Sequence, residues 1–396
     1  MHGSPSLNSP NLSSIYPPPP VLSNDLGSEH HIWHDAIAPI HRAKTVFSVL
    51  DEMNERSPLF VCVAAHTDTS SIPGISSAGA SLELIPFTPA ADLESLRYGH
   101  PTSLRTVPSN PLGPPGPALI TRAALALANM RWLPVTIGLR VSPSIASHEI
   151  QHGPGGRIDV ARGVEDAEGL FRSGQMLGHR LATQERALVI GETVPGGTTT
   201  AMAVLRALGH PYRVSSSMNS GSVESKEPVI ARALARARLS EGSGMFEILT
   251  ELGDPMQPFV AGLLFAAAPR APIILAGGTQ MAAVLAIVNR LEQERAQTLP
   301  RDQIVLATTP WVARDPNADL KTILQGCGNW AGAVPRLDFS AMRCSPLRAY
   351  EQLLVKEGVG AGGACLTALA RCHVSITRLH DEIDAQYLHL PGATDA

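Results

Sequence analysis

The sequence predicts an α/β fold: a doubly wound, mostly parallel sheet with helices on both faces, plus a smaller helical domain. Short apolar runs bounded by Gly or Pro recur along the chain, and each is typical of a buried strand. Two of these runs pass directly through a glycine-rich turn into an alanine-rich helix, at 187–209 and 272–291. Strands that alternate with helices pair in parallel through right-handed crossovers.

The predicted elements begin with a helix at about 36–54 and a strand at 59–65, whereas residues 66–118 are predicted to carry little regular structure. A further helix is predicted at 120–130, and further strands are predicted at 132–139, 187–192, 272–277 and 304–309. Ligands bind beyond the carboxyl ends of strands in such sheets. We therefore expect the loops after residues 65, 192, 276 and 309 to converge on one crevice.

Composition shifts divide the chain into four parts. Residues 1–35 form a Pro- and Ser-rich tail that is predicted to be disordered, because it has too little apolar surface to offset its ordering entropy. Residues 36–130 contain the first strand and contribute to the small domain. Residues 131–340 form the Rossmann-like core. Residues 341–396 form a helical portion with a glycine-rich joint at 358–363, and this portion is expected to cover the crevice.

The bulk composition excludes several function classes. The formal net charge is −4, which gives no positive field to attract nucleic acid or an anionic membrane. Apolar runs end well before the roughly 20 residues that a bilayer requires. The five cysteines form no C-x-x-C pair, so we expect reduced thiols and a cytoplasmic location. Histidines show no metal-ligand spacing, and neither a metal nor a cofactor is expected.

The segment GETVPGGTTT at 191–200 has the frame of a phosphate-binding P-loop, but Gly197 occupies the lysine position. Gly196 and Gly197 would let the backbone approach an anion, and Thr198 and Thr199 would open a helix whose N-terminus favours negative charge. Without the lysine, a single phosphomonoester fits better than a magnesium-bound triphosphate. The alternative is an ordinary strand-to-helix turn with a threonine N-cap.

A second polar segment spans residues 214–234. Ser216 and Ser217 supply hydroxyl donors, and Lys226 stands near a helix start, where a cation is unfavourable unless an anion is close. Lys226 could thus replace the missing P-loop lysine. The alternative is a solvated surface lysine.

Two carboxylates are candidates for acid–base chemistry. Glu357 heads the glycine-rich segment VKEGVGAGGA, where confinement would raise its pKa toward that of a general base. Its alternative is an exposed position at a helix end with a glycine C-cap. Asp68 follows a strand end, as working carboxylates often do in this architecture. Its alternative is an Asx-turn.

Several of these motifs together resemble one known family. The chain carries GETVPGGTTTAMAVLRALG, LGDPMQPFVAGLLFAAA, PIILAGGTQMAAVLA and VKEGVGAGGA in this order. These segments resemble the nicotinate-nucleotide–dimethylbenzimidazole phosphoribosyltransferase family of cobamide biosynthesis. The pattern T-D-T-x-x-I-P-G-I-S at 67–76 resembles its divergent branch. The resemblance covers roughly residues 45–375.

The resemblance implies a doubly wound sheet, a small helical domain and a homodimer whose partner helps to wall the site. It also implies transfer of the 5-phosphoribosyl group from nicotinate mononucleotide to dimethylbenzimidazole or a related base, giving α-ribazole 5′-phosphate for the cobamide lower ligand. Transfer to another base, such as adenine, and a non-catalytic nucleotide-binding role remain as alternatives.

The resemblance also assigns residues. Glu357 matches the general base, and Lys226 matches a phosphate-side lysine. Departures of this chain from the family pattern raise Asp68 as a second candidate for the general base. Further nucleotide-binding positions are implied at Glu192, Gly277, Gly278, Thr279 and Gln280. The chain departs from the better-known branch in lacking the side-chain amide of G-E-M-x-I-G-N-T-T and in replacing a D-G-F-type turn at 278–280. These departures put the base pocket, more than the phosphate site, in question.

Overall fold

The computed structural model of the chain describes residues 14–23, 33–76, 78, 81–104, 114–183, 185–215, 222–371 and 374–393. These residues contain one eight-stranded sheet. Its strands are β1 (Ile37–His41), β2 (Ser57–Ala65), β3 (Arg131–Ile137), β4 (His148–Ile150), β5 (Arg186–Thr193), β6 (Ile273–Ala276), β7 (Ile304–Ala307) and β8 (Ala331–Pro335).

The strand order is β1-β8-β7-β6-β5-β2-β3-β4. All neighbours pair in parallel except β1 and β8, which pair in antiparallel fashion at one edge. The chain winds in one direction from β2 to β4 and in the other from β5 to β8, so the order reverses between β2 and β5. A crevice at the carboxyl ends of the strands is expected at such a reversal.

The helices that surround the sheet vary from one to five turns. They are α1 (Ala43–Asn54), α2 (Thr88–Tyr98), α3 (Ala118–Leu127), α4 (Ala167–Leu181), α5 (Gly197–Ala207), α6 (Ser222–Ala237), α7 (Met245–Leu252), α8 (Met256–Ala267), α9 (Thr279–Arg295), α10 (Pro310–Ala313), α11 (Leu320–Gly326), α12 (Ala361–Ala370) and α13 (Ile376–Leu388). Within the ranges given above, none of them is long and apolar enough to cross a bilayer.

Both faces of the sheet are covered, as the sequence predicts. Along β2, Leu59, Val61 and Val63 point into one apolar cluster, together with residues of α4 to α9. The alternating residues Phe60 and Cys62 point into a second cluster, with residues of α1, α3 and α12. Side chains of a strand alternate between faces, so a doubly covered strand is apolar throughout. The predicted fold class is confirmed.

The predicted helix at 36–54 is wrong in its first third. Residues Ile37–His41 form the edge strand β1, and only Ala43–Asn54 is helical. Pro39 has no amide proton, and proline is tolerated in a sheet where the strand lies at an edge. Arg42 has a φ of 53°, in the left-handed region, so the chain turns sharply between strand and helix.

The prediction that residues 66–118 carry little regular structure is also wrong, since this stretch contains α2 and a 3₁₀ helix at Leu82–Phe87. α2 buries polar residues along with apolar ones, including Asp92, Glu94 and Ser95. A helix whose buried face is polar shows little apolar periodicity and escapes a search based on that pattern.

The C-terminal portion contributes to the core as well as to the crevice. Before the predicted joint at 358–363 the chain forms a 3₁₀ helix at Ser345–Gln352, and α12, which packs directly on the sheet, begins within the joint. This packing requires glycine: a Cβ on Gly363 would lie 2.3 Å from the Cβ of Ala276, and one on Gly362 would lie 2.1 Å from the carbonyl carbon of Thr308. The helices α2, α3, α12 and α13 pack beside one another on this face.

Part of the predicted tail is docked. The backbone of Tyr16 forms a bridge with that of Trp132, and their rings stack with centroids 5.2 Å apart. The amides of Leu22 and Ser23 donate to the carboxylate of Glu382 at 3.0 and 2.8 Å. Residues 14–23 are therefore held by the core, contrary to the disorder predicted for 1–35, whereas 1–13 and 24–32 lie outside the described residues.

Candidate active site

A cavity of about 180 Å³ opens at the carboxyl ends of the central strands. Its walls include Ser76 from the loop after β2, Glu192 from the end of β5, Gly278 from the turn after β6 and Val312 from α10 after β7. The four loops expected to converge therefore do so. Residues 355–359 close another side of the cavity.

Glu357 lies at this cavity, and among the described contacts its carboxylate accepts hydrogen bonds from four donors. Oε2 accepts hydrogen bonds from the Thr308 hydroxyl at 3.0 Å and the Thr309 amide at 2.8 Å, and Oε1 accepts from the amides of Gly358 and Gly362, both at 3.2 Å. Burial nevertheless raises the pKa of Glu357 to about 7. The exposed helix-end alternative for Glu357 is wrong, and the glycines serve to wrap the backbone around the carboxylate.

Glu192 and Gln280 form a buried pair on an adjacent wall. The Gln280 amide group donates through Nε2 to Glu192 Oε2 at 3.0 Å. Burial raises the pKa of Glu192 to about 8, and the nearby carboxylates of Asp254 and Glu357 raise it further. Both side chains line the cavity, as the resemblance implies.

The glycine-rich turn before α5 contributes two of its residues to the cavity. Gly196 and Thr198 line it, whereas Thr199 is buried behind them. The amides of Gly197 and Thr199 donate to the carbonyls of Val194 and Gly196, both at 2.9 Å. The N-cap is Gly196, with a φ of 80°, so the threonine N-cap alternative is wrong.

The space that a P-loop lysine would need at position 197 is occupied by the side chain of Gln280. A Cβ on Gly197 would lie 2.5 Å from Nε2 of Gln280. A side chain at Gly197 would therefore collide with the residue that is hydrogen-bonded to Glu192. Gly278 and Thr279 also line the cavity, whereas Gly277 does not and donates its amide to the Ala307 carbonyl at 2.9 Å.

Lys226 lies behind the cavity wall. Its side chain is fully buried, and Nζ donates to the Val214 carbonyl at 2.7 Å. Burial, and then the charge of Lys356, lower the pKa of Lys226 to about 7. The solvated alternative for Lys226 is therefore wrong. It does not line the cavity, but Ser215, next to its acceptor residue, does. Ser216 and Ser217 lie outside the described residues.

Lys356, which the sequence analysis did not select, stands in the cavity wall. Its Nζ pairs with Asp315 Oδ2 at 2.6 Å and donates to the Ser215 hydroxyl at 3.1 Å, while that hydroxyl also donates to Asp315. Lys356 is only 4% exposed. The signal available in the sequence was weak: lysine is scarce in this chain, and Lys356 directly precedes Glu357.

Asp92 is a second lining residue that the sequence analysis missed, because it lies on α2. It is 6% exposed, and its Oδ2 accepts a hydrogen bond from the Thr193 hydroxyl at 2.7 Å. Burial raises the pKa of Asp92 to about 7. With Glu192 and Glu357 it gives the cavity three carboxyl groups.

The structure does not bring Asp68 to the cavity. Its carboxylate pairs with Arg140 at 2.6 Å and with His66 at 3.2 Å, and its side chain is 36% exposed. It stands in a 3₁₀ turn, Asp68–Ser71, that begins after the N-cap Thr67. The geometry thus favours Glu357 over Asp68 as the carboxylate that meets a bound molecule. Among the side chains that the structure describes, no group of three or more His, Cys, Asp or Glu is arranged to hold a metal ion.

Comparisons with known proteins agree with this architecture. Residues 129–299 match a family model described as a phosphoribosyltransferase. A UPF0284 protein of Methanocaldococcus jannaschii is 37% identical over 344 residues, which cover 85% of this chain and 95% of that protein. A UPF0284 protein of Gloeobacter violaceus is 41% identical over 315 residues, covering 78% of this chain and 83% of that protein.

Two solved structures from Thermus thermophilus share the fold. Nicotinate-nucleotide–dimethylbenzimidazole phosphoribosyltransferase superposes with a TM-score of 0.56 at 19% identity, covering 85% of this chain and 88% of that one. A structure of CobT gives a TM-score of 0.55 at 17% identity, covering 85% and 96%.

Proposed function

Because the chain belongs to the UPF0284 family and its residues 129–299 match the phosphoribosyltransferase model, we propose that it is a phosphoribosyltransferase that uses nicotinate mononucleotide. The 5-phosphoribosyl group passes to dimethylbenzimidazole or a related base, giving α-ribazole 5′-phosphate for a cobamide lower ligand. The observation that carries the proposal is that the confined carboxylate of Glu357 and the turn at Gly196 and Thr198 line one cavity.

The proposed reaction is a single displacement at C1′ of the ribose. A nitrogen of the acceptor base forms the new bond to C1′, and the bond from C1′ to the pyridine nitrogen of nicotinate breaks. Its electron pair neutralises the positively charged pyridine ring. The proton of the attacking nitrogen passes to the carboxylate of Glu357. Attack from the face opposite to the leaving group inverts C1′ and gives the α-nucleotide.

Glu357 is suited to the role of general base. Its pKa of about 7 lies where a carboxylate is both ionised and basic enough to take a proton near neutral pH. The hydrogen bonds from Thr308, Thr309 and the two glycine amides fix the side chain before substrate arrives, so little reorganisation is needed. The same negative charge, with that of Glu192 when ionised, stabilises the oxocarbenium-like sugar.

We place the 5′-phosphate at the wall that combines the turn before α5 with Ser215 and Lys356. Gly196 and Thr198 open the helix, whose N-terminus favours an anion. Lys356 adds a buried cation at the same cavity, with Lys226 behind it. Lys356 pairs with the carboxylate of Asp315, and a phosphate nearby would favour the charged form of Lys226, whose pKa burial lowers. This arrangement replaces the P-loop lysine without magnesium.

In this proposal, residues 131–340 form the phosphoribosyl-binding core, and residues 341–396 bring the general base. The portion that carries Glu357 packs on the sheet through α12, and this packing supports the division. We also propose that the chain acts as a homodimer, in keeping with the resemblance described above.

The deciding experiment supplies the purified protein with nicotinate mononucleotide and dimethylbenzimidazole, and follows both nicotinate release and the phosphoribosylated base. We expect turnover by the native chain and a loss on the order of 100-fold or more in kcat for Glu357→Gln. Asp68→Asn should retain activity within about threefold, because the structure keeps Asp68 away from the cavity. Glu227→Gln, on the outer surface of α6, is the matched control.

The outcomes separate the possible functions. Full activity of Glu357→Gln would refute the assigned mechanism, and loss of activity in Asp68→Asn alone would transfer the role of base to Asp68. Binding of nicotinate mononucleotide without transfer to any base would identify a nucleotide-binding protein.

A further inference from the structure

Asp92 lines the cavity, but its carboxyl group has no role in the reaction proposed above. It enters the cavity from α2, while Glu192 and Thr193 enter from the end of β5. Its Oδ2 accepts the Thr193 hydroxyl at 2.7 Å, which fixes the plane of the carboxyl group. Its other oxygen, Oδ1, has no hydrogen-bond partner in the part of the chain that the structure describes.

A carboxyl oxygen that water reaches only through a cavity loses that water when a ligand fills the cavity, and it then needs a donor from the ligand. Asp92 is 6% exposed, and its remaining surface belongs to the cavity wall. The side chain is therefore set to accept a hydrogen bond from whatever molecule fills this part of the cavity.

The phosphate of the donor nucleotide does not suit this position. Glu192 lies close enough for the charge of Asp92 to raise its pKa, so the surroundings of Asp92 are acidic. Lys356 and Ser215 provide the cationic wall instead. Repulsion between carboxylate and phosphate keeps the phosphate away from Asp92, which leaves this position to a ring that carries a hydrogen-bond donor.

Asp92 and the general base both approach residues 116–117: Gly358, which follows Glu357, lies beside Pro117, and Asp92 lines a small adjoining cavity with Gly116. The buried Tyr350, whose hydroxyl donates to the Pro115 carbonyl at 2.8 Å, has its pKa raised by burial and then by the carboxylates of both Glu357 and Asp92. Gly116 and Pro117, which follow that carbonyl, line the cavity as well. A planar base held by Glu357 at its attacking nitrogen can thus present another edge to Asp92.

We infer that Asp92 selects the acceptor base: its Oδ1 accepts a hydrogen bond from an amino or hydroxyl group on the ring, remote from the attacking nitrogen. The inference rests on the proposed phosphoribosyl transfer and narrows its substrate class. Dimethylbenzimidazole, with only methyl groups at that edge, leaves Oδ1 unpaired. An aminopurine or a hydroxybenzimidazole pairs it.

Two competition reactions test this inference, each between two acceptor bases that differ only in the donor group. Adenine competes with purine in one reaction, and 5-hydroxybenzimidazole competes with benzimidazole in another, with nicotinate mononucleotide as the donor. The product ratio gives the ratio of kcat/KM directly. We expect the native chain to prefer the donor-bearing base by about tenfold or more, the usual scale for pairing a buried charged acceptor. The two reactions show whether an amino or a hydroxyl group is the preferred donor.

Variants of Asp92 show whether this residue causes the preference for a donor-bearing base. Asp92→Leu removes the acceptor at similar volume, and we expect the product ratio to fall toward one. Asp92→Asn keeps one oxygen without the charge and should give an intermediate ratio. The matched control is Asp384→Asn on α13, a buried aspartate that accepts the backbone amides of Arg343 and Cys344 and should leave the ratio unchanged. Each ratio comes from one preparation, so a general loss of activity does not affect it.

The results distinguish this inference from the function on which it rests. No transfer to any base by the native chain contradicts the proposed function and the inference with it. Transfer with no preference for the donor-bearing bases overturns the inference alone. A preference that Asp92→Asn and Asp92→Leu both retain also overturns it. If neither variant folds, the native chain still tests the inference, because the absence of a preference for the donor-bearing bases overturns it.

Discussion

The backbone amide of Thr309 donates to the carboxylate of Glu357 at 2.8 Å, which ties the candidate base to the residue at which the chain leaves β7 and enters α10. Glu357 itself belongs to a loop, as does its donor Gly358, but its other donors come from the end of a central strand and from the first turn of α12. The position of the carboxylate is therefore set by the sheet and by a helix that packs on it. Rigid support of this kind preorganises a catalytic group.

The activity should depend on pH through Glu357. The carboxylate must be ionised to accept a proton, and burial raises its pKa to about 7. We expect kcat/KM to be low in acid, to rise as pH passes about 7, and to level off above it. Asp92 and Glu192 also have raised pKa values, so the inflection belongs to a coupled set of groups.

A pH series on the native chain and on Glu357→Gln measures this effect. The residual activity of the variant should show a weaker inflection near neutral pH, because only Asp92 and Glu192 of the coupled set remain. A native profile that is flat between about pH 5.5 and 8.5 would contradict the role of Glu357 as general base.

The donor phosphate should be held by Lys356. In Lys356→Met we expect KM for nicotinate mononucleotide to rise by about tenfold or more, because a buried charge-assisted contact is lost. Nicotinate riboside, which lacks the phosphate, should be used equally by the variant and the native chain. Lys226→Met should have a smaller effect, since Nζ of Lys226 is directed at the Val214 carbonyl.

Lys321→Met, at an exposed position of α11, is the control for loss of a lysine. If Lys356→Met lowers the use of the riboside and the mononucleotide by the same factor, Lys356 acts on folding or on the sugar, and not on the phosphate.

Glu192 should destabilise the unliganded protein at alkaline pH. Its pKa is raised to about 8 in the folded chain, mainly by burial, so the folded state binds more protons than the unfolded state between about pH 4.5 and 8. Stability from this group is present in acid and falls as pH rises through that window. Each pKa unit corresponds to about 1.4 kcal/mol. Lys226, with a lowered pKa of about 7, acts in the opposite sense above neutral pH.

Thermal unfolding of native protein and of Glu192→Gln, from about pH 5 to 8, isolates the contribution of Glu192 because the other groups are common to both. We expect the melting temperature of Glu192→Gln, relative to that of the native protein, to increase with pH. A constant difference across the series would show that the carboxyl group does not titrate in this window.

Much of the fold could be predicted because the central strands are apolar on both sides. β2 and β5 to β7 stand out as short apolar runs, and their alternation with helices fixes a parallel sheet. The edge strand β1 could not be found this way, because its pairing with β8 joins residues nearly 300 positions apart. α2 escaped because it buries polar groups such as Asp92 and Glu94.

The site was predictable to the extent that topology determines it. Convergence of the strand ends placed Glu192, Gly196 and Gln280 together, and the glycine-rich context singled out Glu357. Lys356 and Asp92 were missed because their roles depend on partners distant in sequence, Asp315 and Thr193. Asp68 was a reasonable candidate because it follows a strand end, but its carboxylate pairs with Arg140 and does not line the cavity.

The close approach of α12 to β7 should be needed for stability as well as for the site. In Gly362→Ala, the new Cβ would lie 2.1 Å from the carbonyl carbon of Thr308, so the backbone must shift. We expect the free energy of unfolding to fall by about 1–3 kcal/mol, the usual range for overpacking a core. Denaturant titration measures it, with Gly153→Ala as the control at an exposed glycine with open space around it. Equal stability of the two variants would show that α12 can move away from β7 without loss.

Restoring the P-loop lysine should impair the protein. In Gly197→Lys, the side chain begins where Gln280 already lies, because a Cβ there is 2.5 Å from Nε2 of Gln280. Gln280 must then leave, and Glu192 loses the hydrogen bond that it accepts at 3.0 Å. We expect lower stability and at least about a tenfold loss in kcat/KM for nicotinate mononucleotide, despite the added positive charge. The control Gly242→Lys adds the same side chain at an exposed turn, where a Cβ would make only an ordinary contact, 3.9 Å from Oγ of Ser240. A gain in affinity for the nucleotide in Gly197→Lys would mean that the cavity accepts a P-loop lysine, and that the contact between Gly197 and Gln280 is not what excludes it.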